Sequence, residues 1–352
     1  MILSKLLRRV DFNCYECAHT WSPDCSRIRL EVLWDAYKSL LPLYLMLNTA
    51  AHITRHKGVP KLTGMISEVL SNSHRSAASL GLCFFFLGVS VCSLRSWLGF
   101  FSPWVLYAGS SVSCFTAILL ERDSRVRLYN VYILQLLFEM MATLLADYGF
   151  KGHPLGNSLL LGMSVAIHMH LARTSGVEKT NLSSWLRKYH QQAISCGLRR
   201  YEDKDSAWHC IPASVTAACV ANYFWPSQRV AIYAFSNMLQ DAYVHAAKTK
   251  GTPSSALGSR LLFGHLCGIL ATLGILKPHY LRKSYIEFLN NVLGHRIGLV
   301  NWSAISHLGF DTAKVYKEHL MPPLDPDSIS ESYKQKVWIW NLSDFSLADR
   351  SR

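Results

Sequence analysis

Charged residues leave long stretches of this chain empty, and those stretches predict its architecture. None occurs from Ser76 to Leu94, and none from Ser96 to Leu120. A run of about 18 uncharged, mostly apolar residues crosses ~30 Å of hydrocarbon as a helix. Helices of a soluble bundle carry charge on their outer faces, and these segments do not. The pattern predicts spans near 38–53, 77–94, 103–120, 128–146, 154–172, 207–225, 230–247 and 256–276. The fold class is therefore expected to be all-α, a polytopic membrane helix bundle.

Polar segments divide the spans. Residues 1–34 form a Cys-rich head, 35–172 a first membrane unit, 173–206 a basic linker, 207–276 a second membrane unit and 277–352 a polar tail. In the linker, Trp185, Leu186, Tyr189, Ala193, Ile194 and Leu198 recur at helical spacing, as in a helix lying in the membrane interface; an ordinary solvated linker is the alternative. In the tail, Tyr285, Phe288, Leu289 and Val292 predict one more amphipathic helix. The segment from Pro322 to Pro326 predicts extended chain.

An internal repeat of three to four spans underlies the two membrane units. Arg125-Val126-Arg127-Leu128-Tyr129 returns as Arg229-Val230-Ala231-Ile232-Tyr233. Leu155-Gly156-Asn157-Ser158-Leu159-Leu160-Leu161-Gly162 returns as Leu257-Gly258-Ser259-Arg260-Leu261-Leu262-Phe263-Gly264. Duplicated helical units are a common way to build membrane proteins. Gly156, Gly162, Gly258, Gly264 and Gly268 read as helix-packing positions, the last two as a GxxxG pair.

Composition agrees with the spans. Half of the residues are apolar, 17% are charged, and the mean hydropathy is positive. The net charge of +13 would suggest nucleic acid in a soluble protein. Here the basic residues fall mainly between spans and in the termini, where they orient spans and meet anionic headgroups. No nucleic-acid motif is present, so membrane lipids are the expected partners. Met1 to Arg9 has too short an apolar patch for a signal core, and insertion is expected to rely on the spans themselves. Most cysteines lie singly inside spans (Cys83, Cys92, Cys114, Cys219, Cys267) and read as small packing residues.

Two sets of residues carry candidate chemistry. Glu139 and Asp241 lie well inside spans, offset by the same distance as Gly156 and Gly258. A carboxylate in hydrocarbon costs at least about 2.5 kcal/mol, so it faces a partner or a wet cavity. The pair reads either as a polar pathway for protons, ions or lipid headgroups, flanked by Arg125 and Arg229, or as interhelical glue held by Gln135 and Gln240. His168, His170, His245 and His265 also sit in spans and read as packed core residues. In the head, Cys14, Cys17, His19 and Cys25 offer thiolates and an imidazole at a density that suits Zn²⁺; reduced packing cysteines, or a Cys14–Cys25 disulfide, are the alternatives. No cofactor is expected beyond such a structural zinc. No nucleophile elbow, phosphate loop, HExxH or dinucleotide fingerprint is present, so a non-enzymatic protein is expected.

The head also carries a resemblance. Asn13-Cys14-Tyr15-Glu16, then His19-Thr20-Trp21, Pro23 and Cys25, resembles the N-terminal segment of the transmembrane protein 135 family, also called peroxisomal membrane protein 52. The resemblance continues through Leu119 to Arg125, Glu139, Asp241 and Leu276 to Tyr280, and closes at Leu320, Pro322 and Leu324 to Pro326. It implies Cys14, His19 and Cys25 as the better trio for a metal or a disulfide, Cys17 falling where that family is not expected to have cysteine. It further implies a multi-pass protein of peroxisomal and mitochondrial membranes, tied to mitochondrial fission and to lipid and peroxisomal metabolism. The family is distantly related to the mitochondrial inner-membrane translocase superfamily, which builds Gly-rich four-span units. The function expected on these grounds is a lipid or metabolite conduit between the two repeats. The alternative is a non-transporting scaffold that recruits a fission or tethering factor.

Overall fold

A computed structural model describes residues 7–55, 62–149, 154–175, 216, 219–220, 227–249, 255–310, 312 and 324–338. The regular structure in these residues is helical. The only extended pairing among them is a single antiparallel bridge between Val10 and Phe101. The helices are α1 (Cys14–Cys17), α2 (Cys25–Arg55), α3 (Leu62–Leu98), α4 (Pro103–Ile118), α5 (Asp123–Asp147), α6 (Pro154–Ser175), α7 (Gln228–Thr249), α8 (Ser255–Leu276), α9 (Lys283–Val292), α10 (Trp302–Ser306) and α11 (Glu331–Tyr333). The amphipathic helix expected in the tail is α9. The span expected over 207–225 and nearly all of the linker over 173–206 lie outside the described residues.

Three described helical stretches are long and apolar enough to cross a membrane: Gly64–Leu98, Asp123–Asp147 and Ala256–Leu276. Only 33%, 28% and 44% of their most apolar windows are buried. Apolar side chains that protein does not cover are what lipid contact requires. Trp97, Val112 and Leu128 are examples, all more than 60% exposed. The fold is all-α and the chain is a multi-pass membrane protein. The other expected spans that fall within the described residues are helical too, but of a different character. α4 is 16 residues long. α2 carries Asn48 and His52 within its apolar stretch, and α7 carries Arg229, Asp241 and Lys248.

The chain forms two compact units. One comprises Met1–Arg122 and Arg260–Arg352, the other Asp123–Ser259. In the first unit α2 runs along α3, and α3 along α4. Serine hydroxyls cross the α3–α4 seam: Ser79 donates to the Ala117 carbonyl at 3.0 Å, and Ser113 to the Phe86 carbonyl at 2.8 Å. Small hydroxyl residues let helices approach closely without the hydrophobic drive that water supplies. The GxxxG pair of α8 sits against α4. A Cβ added at Gly264 would lie 2.8 Å from the Ser111 carbonyl oxygen, and one at Gly268 3.1 Å from that of Tyr107. At Gly264 the backbone of α4 itself fills the space; at Gly268 the Ser111 hydroxyl stands nearest, with the Tyr107 carbonyl behind it. At Gly156 a Cβ would meet nothing within 4 Å, and Gly162 is buried.

In the second unit α7 packs on both α5 and α6. Phe138 and Phe235 meet with ring centroids 5.2 Å apart. Buried Asn130 donates from Nδ2 to the Ser259 carbonyl at 2.8 Å.

Candidate functional site

The head is built on a short capped helix. Asn13 Oδ1 accepts from the Glu16 amide at 2.8 Å, and Glu16 Oε2 accepts from the Asn13 amide at 2.6 Å. This reciprocal capping box starts α1 at Cys14 and fixes where its thiol points. The Glu16 carboxylate is fully buried and also accepts from the Asn13 side chain and the Ser330 amide. Both Glu16 oxygens thus meet a donor, the condition for burying such a group.

Those Ser330 and Ser328 contacts reveal what the sequence pattern did not. The tail folds onto the head. Asp325 donates its amide to the Tyr15 hydroxyl at 2.7 Å, and Asn13 Nδ2 reaches the Ser328 carbonyl at 3.3 Å. Asn301 donates its amide to the Cys17 carbonyl at 3.1 Å and its side chain to Tyr333 Oη at 2.6 Å. Phe12, Tyr15, Cys17, Trp302, Ile305, Leu308, Ile329 and Tyr333 share one core with Phe101 and Leu276 from the ends of the helices. On the rim, Lys336 pairs with Asp11 at 2.8 Å. Its hydrogen bond, with that of Ser332, lowers the Asp11 carboxyl to about 2. Partial desolvation lowers the pKa of His307, which meets Phe12 edge-on.

Arg95 clasps the head to α3. Its Nε donates to the Phe12 carbonyl at 2.9 Å and a terminal nitrogen donates to that of Asp11 at 3.0 Å. Cys92 is three residues earlier on α3, hence on the same face as Arg95. The clasp therefore brings Cys14 to Cys92. Cys25 arrives from the first residue of α2, whose start is set by Asp24 Oδ1 accepting from the Ser26 amide at 2.8 Å. His19 follows α1 directly. Its Nε2 lies 3.3 Å from Cys25 Sγ and 3.9 Å from Cys92 Sγ. The ligand atoms of Cys14, His19, Cys25 and Cys92 all lie within 4.8 Å of one another. The sequence trio is thus brought together, with a fourth member from 67 residues beyond Cys25. Cys14 and Cys25 are free thiols here, with no bridge between them. Cys17 is buried in the hydrophobic core and does not join the group.

The thiols are not equivalent. A hydrogen bond with Cys92, aided by His19 and by the charge of Arg95, outweighs burial and lowers Cys14 to about 5. Burial pushes Cys17 and Cys25 up, and at Cys25 the neighbouring Cys14 adds to the rise. An electropositive surround of this kind favours a thiolate.

The second candidate set lies in the other unit. Asp241 on α7 is buried, and Glu139 on α5 is half-buried. The two helices pack against each other. Gln135 Nε2 donates to Glu139 Oε1 at 3.2 Å, one of the partners expected from the sequence. Arg125 is half-buried near the start of α5, and Arg229 is exposed at the start of α7. Of the span histidines, His265 Nδ1 lies 2.7 Å from the Tyr107 hydroxyl in the first unit. The side chains of His168, His170, His245 and Gln240 lie outside the described residues.

Residues 11–145 match the family model of the N-terminal cysteine-rich region of Transmembrane protein 135. The match spans the capped helix, all four clustered ligand residues, and Glu139. No solved structure matches the chain.

Proposed function

We propose, for a chain that carries the cysteine-rich region of the transmembrane protein 135 family, that it moves lipid or a lipid-like metabolite along the seam of α5 and α7. The observation that carries this reading is Asp241, buried at 6% exposure on a helix packed against the one that bears Glu139. A carboxylate on α5, which is long and apolar enough to cross a membrane, and a buried one on the helix packed against it are costly unless they serve a polar route or a specific partner. Arg125 and Arg229, each near the start of its helix, suit the entry of an anionic headgroup. The protein acts without enzymatic chemistry, in peroxisomal and mitochondrial membranes, and its lipid handling links peroxisomal metabolism to mitochondrial fission. The family resemblance supports that setting.

A second reading is a scaffold that recruits a fission or tethering factor. The folded body made by head and tail favours it, because it presents a defined surface at the ends of the helices. Deleting residues 277–352 cannot separate the two readings, since Trp302, Leu308, Ile329 and Tyr333 belong to the core of the head. The separating experiment is complementation of null cells with Glu139→Gln plus Asp241→Asn. Loss of rescue by a protein that still inserts and accumulates supports the conduit. Full rescue overturns it in favour of the scaffold. Localisation of a tagged chain, with protease protection of each terminus, tests the compartment.

A further inference from the structure

We propose that Cys14, His19, Cys25 and Cys92 form a structural zinc site that fastens the cysteine-rich head to the end of α3. Four soft or borderline donors converge, with every pair of ligand atoms within 4.8 Å. Tetrahedral Zn²⁺ with bonds of about 2.3 Å to sulfur and about 2.0–2.1 Å to nitrogen places its ligand atoms between ~3 and ~4 Å apart. The His19 contacts of 3.3 Å to Cys25 and 3.9 Å to Cys92 fall in that range.

The imidazole is oriented for the role. His19 Nδ1 lies 2.9 Å from the Ser22 carbonyl oxygen. A carbonyl only accepts, so Nδ1 carries the proton and Nε2 turns its lone pair toward the three sulfurs. A second-nitrogen hydrogen bond to a carbonyl is the usual way a zinc-bound histidine is held. Arg29 donates to the Cys25 carbonyl at 2.7 Å, and Arg95 binds the backbone just before Cys14. These two guanidinium groups balance the surplus negative charge of three thiolates and one Zn²⁺.

Binding forms three Zn–S bonds and one Zn–N bond as the hydrated ion sheds its waters, and every thiol still protonated gives its proton to solvent. Four protein ligands close the coordination sphere, the mark of a structural rather than a catalytic site. Its energetic role follows from the chain path. Three ligands come from residues 14–25 and the fourth from a membrane span, so the ion closes a long loop and fixes the body to which the tail docks. The site is independent of the conduit reading, because α5 and α7 contribute nothing to it.

The test uses full-length protein purified in detergent without chelator, with metal content measured by plasma mass spectrometry and free thiols counted by alkylation. The expected result is about one zinc per chain in the wild type and in Cys17→Ala, and roughly a fivefold or greater loss in Cys92→Ser. A second measurement does not depend on any variant: Co²⁺ exchanged into the wild type should give the visible bands of a tetrahedral thiolate site. Substoichiometric zinc with no such cobalt spectrum overturns the proposal. So does zinc retained in full by Cys92→Ser, or lost in Cys17→Ala while it persists in Cys92→Ser. A Cys14–Cys25 disulfide found in the native protein overturns it as well.

Discussion

Cys92 Sγ lies 3.9 Å from His19 Nε2, although 73 residues separate the two in the chain. The contact ties the polar head to a membrane helix, and Arg95 one turn further along holds the same junction through two backbone carbonyls. The head is therefore part of the helical body and not a free extension.

Arg95→Ala removes both carbonyl bonds at once. Charge-assisted hydrogen bonds contribute about 1.5–3 kcal/mol each, less where solvent competes. The expected outcome is a loss of about 2 kcal/mol in the stability of the head. It is read as faster proteolysis near residues 7–25 while the helices stay intact. Unchanged cleavage would show that Arg95 is not the clasp.

Tyr333→Phe leaves the buried Asn301 Nδ2 without its partner at 2.6 Å. An unsatisfied buried donor costs about 1–3 kcal/mol. The tail segment 324–338 should then detach more readily, as faster hydrogen exchange in that segment. Asn301→Ala also loses the cap it provides to the Ala304 amide at 3.1 Å, and should be the more severe change.

Acid should release the tail in two steps. Burial lowers the pKa of His307, so its neutral form is favoured in the fold. Its contribution is fully present above the ordinary value of about 6.5 and is lost as pH falls through the lower folded value. Asp11 is lowered to about 2, chiefly by its bond to Lys336, so its contribution holds above about 4 and is lost as pH falls toward 2. Thermal unfolding followed against pH should show both losses. His307→Phe should flatten the first, and Asp11→Asn the second.

Glycine positions should divide sharply. Gly264→Val pushes a side chain into the Ser111 backbone and Phe115, and overpacking of this sort costs about 1–3 kcal/mol or more. Gly156→Ala meets nothing and gains helix propensity of up to ~1 kcal/mol. Thermal stability in detergent should fall for the first and hold or rise for the second.

The helical class and the Cys-rich cluster of the head were legible in the sequence because each rests on local pattern; the resemblance, not the spacing, set Cys17 apart from Cys14, His19 and Cys25. Long uncharged runs mark helices in lipid, and donors a few residues apart mark a shared neighbourhood. Cys92 was not legible. A lone cysteine in an apolar helix reads as a packing residue, and nothing in the local pattern tells that α3 meets the head. The docking of the tail on the head was not legible for a related reason, although its amphipathic helix was. Its anchors, Trp302, Leu308, Ile329 and Tyr333, are spread over more than 30 residues with no single period. Their burial depends on partners from residues 10–17, which no local window contains. The acids Glu139 and Asp241 stood out from sequence because charge in an apolar span is rare, and the structure places their helices in contact.

The central claim is that the seam of α5 and α7 carries lipid. Its most direct measurement is transfer of fluorescent phosphatidylcholine between the leaflets of vesicles that hold the purified protein. Wild-type protein should speed transfer well above protein-free vesicles, and Glu139→Gln plus Asp241→Asn should return it to that background. Equal transfer by the wild type and the double variant would contradict the account, as would a wild type no faster than lipid alone.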